Sequence, residues 1–349
     1  MQCTGAIPKQ VTFEEKSDSP PKAERKLRSL GTTSTLFLTK MHKGFEAHRN
    51  LICYLKDHKT ASVYDVKRRT ELPLHEAEKI IGIKFFSQHL ALQTASGLRI
   101  WDLTGDQPRV EATIPVTAES CEIHRETGTK VLIKKDSLEC YRGLRQASTI
   151  PFQFTKQHKL LLTKNEAIVY SKGPALLTSF DLDTGKKLTD RLFDGELTCA
   201  TNGEALVTYC TRLLRESGPL SILDPRTLKE KQEPLKIIIN KTAAIAYLNM
   251  GKKSIELMTA DNLFQCYNLK GELKGRLQLP LHFLGHMSKV SQNFLAICVG
   301  DQLQILNKET GELLAKLTAN RFIISFHFHV GQTTYLAAKL DDGHVQLWS

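Results

Sequence analysis

Short apolar runs that end on an aromatic or large aliphatic residue return along this 349-residue chain at a nearly constant interval. They read ASVYDV, LRIWDL, LECYRG, LTSFDL, LSILDP, FQCYNL, LQILNK and VQLWS, anchored by Tyr64, Trp101, Tyr141, Phe180, Leu223, Tyr267, Leu306 and Trp348. Successive anchors stand 37 to 44 residues apart, a spacing that random apolar runs would not keep. A period of this length implies one supersecondary unit repeated. Polar turns follow the anchors, most clearly LTGDQP (103–108), LDTGKK (182–187) and NKETGE (307–312). In such turns Asp, Asn or Thr bonds the local backbone while Gly takes the positive φ that other residues resist. A second strand-like run precedes each anchor (HLALQT, TKVLIKK, NFLAICV), and a third lies farther upstream (IIGIKFF, TAAIAYLN, FIISFHFH). Four strands in about 40 residues, repeated with almost no helical spacing, predict an all-β fold, a β-propeller of four-stranded blades. The only helix-like stretch, LHEAEKI at 74–80, is short and reads as a loop turn.

Eight anchors predict eight blades, with seven as the alternative if the first anchor is fortuitous or one unit is an insertion. Register is least determined across 157–182, where KLLLTK, EAIVYSK and ALLTSF fit more than one alignment. The final run, HVQLWS, fits the third strand of the last blade, and an unpaired edge beside it would invite aggregation. An N-terminal strand, near Val11–Glu15 or just before Ser34, is therefore expected to complete that blade and close the ring. STLFLTKM (34–41) is expected to be the innermost strand of blade one. Residues 1–33 read as a mostly flexible basic segment, because 14–32 are polar, Pro-containing and poor in apolar side chains. Residues 34–349 read as the propeller.

The period and the turn-flanked Trp101-Asp102 resemble the WD40 family of β-propellers across residues 34–349. In that family Trp-Asp closes the third strand of a repeat. Here Tyr64-Asp65, Phe180-Asp181 and Leu223-Asp224 echo it. The family's Gly-His pair ahead of the first strand has no counterpart, since Gly285-His286 lies inside an expected strand. The Asp-x-Thr-Gly turns are shared with quinoprotein-type propellers. What the resemblance implies is a non-enzymatic scaffold that binds other proteins through loops held on two rigid rims. Tyr64-Asp65-Val66-Lys67 also loosely resembles the box of propellers that recruit ubiquitin-ligase adaptors, whereas Trp101-Asp102-Leu103-Thr104 lacks the basic residue.

Signatures of chemistry are few. No G-x-S-x-G occurs, and Gly251-Lys252-Lys253-Ser254 lacks the earlier glycine of a phosphate-binding loop, Ala246 standing in its place. A hairpin turn after the strand AIAYLN is the simpler reading. His327 and His329 share one face of a strand and could chelate a metal, but no further ligands are identifiable, so they read as ordinary polar members of that strand. Asp65, Asp102, Asp181 and Asp224 recur once per unit, which suits turn capping better than a single carboxylate site. No residue is assigned to catalysis, a cofactor or a metal.

The eight cysteines are scattered without C-x-x-C and most lie in apolar runs, as buried free thiols would. With no secretory pattern and no run of 18 apolar residues, no membrane span is expected, and the cytoplasm or nucleus is. The net charge of +11 favours acidic partners. Its lysines and arginines come in dispersed pairs, and no aromatic stacking motif stands beside them. Proteins are therefore the first expected partners. A basic subunit of an RNA-containing or ubiquitin-ligase assembly comes second, and a small-ligand or enzymatic propeller third.

Overall fold

Eight antiparallel sheets follow one another along the chain in the computed structural model. It describes residues 27, 30, 32–36, 45–105, 107–115, 117–171, 175–211, 217–235, 245–279, 288–291, 293–331 and 333–349. The sheets are the blades of an eight-bladed β-propeller: 45–75, 80–114, 120–151, 158–193, 196–223, 245–278, 288–318 and 323–348. Seven have four strands. Among the described residues blade 5 has three, and the chain beyond it touches its third strand through isolated bridges, Leu223 to Glu230 and Leu220 to Leu235.

Burial follows from position in the sheet. Second strands such as Leu51–Leu55, Glu166–Ser171 and Phe294–Val299 are buried almost throughout, because neighbouring strands and neighbouring blades cover them on every side. Outer strands such as Arg109–Ile114 are largely exposed. Strand order within a blade follows the chain, so the first-to-second and third-to-fourth turns share one face of the ring, here called the turn face. The second-to-third turns and the blade-to-blade connections lie on the opposite, loop face.

The apolar residues divide into eight cores, one between each pair of successive blades. The core between blades 8 and 1 joins Tyr335, Ala337, Val345 and Leu347 to Ile52, Tyr54 and Tyr64, and so closes the ring. This arrangement explains the repeated anchors. Tyr64, Trp101, Tyr141, Phe180, Leu223, Leu306 and Trp348 each pack into the core shared with the preceding blade. Tyr267 is likewise buried, its hydroxyl donating to Gln265. A large side chain is needed once per blade, at one place in the third strand, to fill the wedge between diverging sheets.

The last blade is completed from the N-terminal side. Thr32–Leu36 runs antiparallel to Val345–Trp348, pairing Thr32 with Trp348 and Leu36 with Val345 across a register shift between Thr32 and Ser34. The closing strand thus straddles Ser34, whereas Val11–Glu15 lies outside the described residues. This corrects the assignment of STLFLTKM: its first residues close blade 8, and Phe45–His48 is the innermost strand of blade one. That strand is only four residues long and half-buried, with Phe45 and Ala47 packed on the core between blades 8 and 1 and Glu46 and His48 on its other face, so its apolar signal rests on two residues. Upstream of the closing strand, Leu27 is completely buried in the core shared by blades 7 and 8, with Leu30 packed beside it.

The anchoring aspartates cap turns. Asp65 accepts the backbone N–H groups of Lys67 and Arg68, Asp181 those of Asp183 and Thr184, and Asp224 those of Arg226 and Thr227. Asn268 and Asn307 do the same in blades 6 and 7. Gly185 and Gly311 take the positive φ expected of them, but Gly105 does not. The stretch 74–80 holds the end of an outer strand, Thr70–His75, and a loop turn rather than a helix. All cysteines among the described residues are free; six are buried and Cys210 is half-buried. Burial pushes the Cys121 thiol up to about 12 and those of Cys140, Cys266 and Cys298 up to about 11. No helix among the described residues is long and apolar enough to cross a membrane.

Candidate functional site

The first-to-second turns are tied to one another around the channel on the turn face. The backbone N–H of Ser87 donates to the carbonyl of Arg125 (3.0 Å), and that of Lys164 to Gly203 (3.0 Å). Asn202 Nδ2 donates to the carbonyl of Gly251 (3.4 Å). Lys252 of blade 6 reaches Glu126 of blade 3, Nζ to Oε1 2.9 Å. Deeper in the channel Lys84 pairs with Glu122 (3.3 Å) and Arg125 with Glu46 (4.0 Å). Gly251, Lys252 and Lys253 form the turn of a hairpin, closed by Gly251 N–H on the Ser254 carbonyl (2.8 Å), as the sequence implied.

Two concavities stand out. One of about 640 Å³ opens on the loop face among blades 1 to 3 and includes Lys84, Gln93 and Glu122. The other, about 550 Å³, lies on the turn face where blades 8, 1 and 2 meet. Its walls include His48 and Arg49 from one hairpin, Asp65, Lys67 and Arg68 from the next turn of the same blade, Ser87 and Thr104 from blade 2, and His329 from blade 8.

His48 is the most perturbed group here. Burial comes first, and the charges of Arg125 and Arg49 and the neighbouring His329 add to it, lowering the imidazole from 6.5 to about 4 against an opposing hydrogen bond with the Ser87 backbone. Its ring stacks on Phe85 with centroids 6.4 Å apart, and its buried Nε2 makes no hydrogen bond. Burial also lowers His329. Because the unfolded chain protonates His48 near 6.5 and the folded one only near 4, His48 favours folding fully above pH 6.5, and that contribution is lost as pH falls toward 4. The His48→Gln variant should therefore close its melting-temperature gap to wild type, or overtake it, between pH 7 and pH 4.5. A gap independent of pH would contradict the assignment.

The residues singled out from sequence are distributed around the ring rather than gathered. Each anchor sits at or beside the end of a third strand. Trp101 Nε1 donates to Glu76 (3.0 Å), whose other oxygen meets Arg99 (2.8 Å), tying blade 2 to the buried end of blade 1. Burial raises Glu76, with Trp101 and Arg99 opposing. His327 lies against Phe45, its Nε2 3.4 Å from that residue's carbonyl oxygen and its ring edge-on at 4.8 Å. His329, two residues on, enters the turn-face pocket. No group of three or more His, Cys, Asp or Glu among the described residues is placed to hold a metal. Sequence reasoning did not find Arg49, Ser87 or His48. Their signal is two-residue turns, Arg49-Asn50 and Ser87-Gln88, without the expected glycine.

No protein-family model matches the chain, and no curated protein sequence does. Solved structures do. The computationally designed Ika8 protein superimposes with TM-score 0.62 at 13% identity, covering 91% of this chain and 99% of that one. Sqt1 from Saccharomyces cerevisiae gives 0.60 at 12%, covering 90% and 96%. BamB from Moraxella catarrhalis gives 0.56 at 14%, covering 92% and 99%. At these identities the likeness is one of fold.

Proposed function

We propose that the protein is a non-enzymatic, WD40-like scaffold that binds partner proteins on its turn face. One observation carries the reading: the turns of that face are fixed to each other and to their own caps while their charged side chains stay exposed. Lys67, Arg68 and Arg69 follow an Asp65 cap, and neighbouring turns are joined through Ser87 and Arg125. A surface held this way loses little conformational entropy when a partner docks. Its cationic turns favour partners with an acidic face and speed their encounter.

The test is capture under gentle crosslinking with quantitative mass spectrometry, comparing wild type with Lys67→Glu/Arg68→Glu. Both side chains are exposed, so the variant should melt within about 1 °C of wild type. The proteins enriched by wild type should fall at least fivefold with the variant. Recovery of no protein above a mock bait would remove the scaffold reading, and undiminished recovery would move the partner off this face.

A further inference from the structure

We propose that the 550 Å³ pocket between blades 8, 1 and 2 is a binding site for a phosphomonoester group. The inference concerns a ligand and stands whether or not the scaffold reading does.

The first argument is charge. Arg49, Lys67 and Arg68 line the pocket against a single carboxylate, Asp65, which caps its own turn and stands near Arg68. Asp65 Oδ1 already accepts Asn50 Nδ2 (2.8 Å), the Lys67 N–H (2.8 Å) and the Arg68 N–H (3.0 Å), while Oδ2 stands 3.9 Å from Arg68 Nε. Among the described residues neither Arg49 nor Lys67 has a carboxylate within ion-pair distance. Guanidinium groups offer planar pairs of donors matched to two oxygens of a tetrahedral oxyanion.

Unfilled hydrogen-bonding capacity is the second argument. His48 Nε2 is buried and makes no hydrogen bond to the protein, an uncommon state for a buried polar atom that a donor or acceptor reaching it from the pocket would relieve. The cations that add to burial in holding His48 neutral, Arg125 and Arg49, would favour a dianion beside it.

The third argument is backbone cost. Arg49 has φ 54° and Ser87 φ 47°, in the left-handed region where glycine is favoured. Elsewhere on this face glycine fills most such positions, as Gly128, Gly203, Gly185, Gly271 and Gly311 do, and the exception, Leu228, spends its side chain in the core between blades 4 and 5. Two of the five non-glycine residues with positive φ among the described residues therefore line one pocket, and a third, Arg69, adjoins it. Side chains kept where the backbone prefers none mark positions at which the side chain has a task.

A phosphomonoester fits better than its rivals. It is dianionic near neutrality and offers three terminal oxygens to donors arriving from three blades. A nucleic-acid backbone would instead need an extended basic track. The group could arrive on a phosphorylated residue of a protein or on a small free ester.

The full chain, labelled at histidine Cε1 and followed by NMR at pH 7 and constant ionic strength, tests this. Inorganic phosphate should shift the His48 signal, identified with His48→Gln, along a saturating curve in the millimolar range; potassium chloride should not. Arg49→Gly suits the local φ and preserves the turn; combined with Arg68→Gln it should weaken the phosphate constant at least tenfold at unchanged melting temperature. Ser87→Gly, equally compatible with its backbone, should weaken it about threefold. A phosphoserine peptide binding tenfold tighter than glycerol phosphate identifies a protein source, and equal constants identify a free ester. No saturation by 50 mM, the same constant in the Arg49→Gly/Arg68→Gln chain, or tighter binding of a single-stranded oligonucleotide than of any monoester overturns the proposal.

Discussion

A chain lacking residues 1–36 should melt about 10 °C or more below a chain lacking residues 1–26 and aggregate as it does so. Two contributions are lost together in the longer deletion. Leu27 is fully buried between blades 7 and 8, and emptying a leucine site in a core costs about 2–5 kcal/mol. Thr32–Leu36 supplies the ladder along Val345–Trp348, and its hydrogen bonds add on the order of 1 kcal/mol each. Once the strand is gone, the third strand of blade 8 becomes a free edge, and the apolar core between blades 8 and 1 is left to hold the ring together. Leu27→Ala in the full chain separates the two effects by removing the side chain and keeping the strand. A peptide of residues 27–36 added to the truncated chain should raise its melting temperature with concentration, as any ligand of the folded state does. A melting temperature after the 1–36 deletion within 2 °C of that of the chain lacking 1–26 would show that the seam does not hold the ring.

The propeller was legible in the sequence because one physical demand recurs. Each blade needs a bulky residue facing the blade before it, so Tyr64 and Trp348, 284 residues apart, are chosen by the same geometry. The closing strand was only partly legible. A single apolar run, STLFLTKM, could serve either as the edge of blade 8 or as the first strand of blade 1. Phe45–His48, which takes the second role, does alternate as a half-buried strand does, but over four residues with only Phe45 and Ala47 apolar, too short a run to stand out beside STLFLTKM. Leu27 was hidden for the opposite reason, an isolated apolar residue in a polar stretch with no period to reveal it.

The turn-face pocket was not legible at all. Arg49 and His329 are 280 residues apart in the chain and meet only because the ring closes between blades 8 and 1. His329 could be noticed through its pairing with His327, but nothing in the sequence said that His48 and Ser87 would be its neighbours. Turn tips also carry no packing pattern, since their composition is set by φ and by whatever the face must contact.

Between blades 6 and 7 a buried ion pair should prove the most costly single side chain to remove from the ring's interior. Lys308 follows the anchor Leu306 and its cap Asn307, and its Nζ lies 3.1 Å from Glu256 Oε1 on the second strand of blade 6; both side chains are buried. The remaining capacity of Glu256 is filled by Ser254 Oγ and by Asn249 Nδ2 at 2.9 Å. The backbone of Lys308 sits directly against Gly275, where a Cβ would run into its carbonyl oxygen, so the turn cannot move away to let water reach a lone charge. Lys308→Met or Glu256→Gln alone should each lower stability by about 3–5 kcal/mol, because each strands a buried charge or its unsatisfied partner. Replacing both charges, as in Lys308→Met/Glu256→Gln, should recover much of that loss and give a coupling energy above about 2 kcal/mol in a double-mutant cycle. Urea denaturation of the four chains measures it. Additive losses would mean that water enters the blade 6–7 seam and screens the two charges separately.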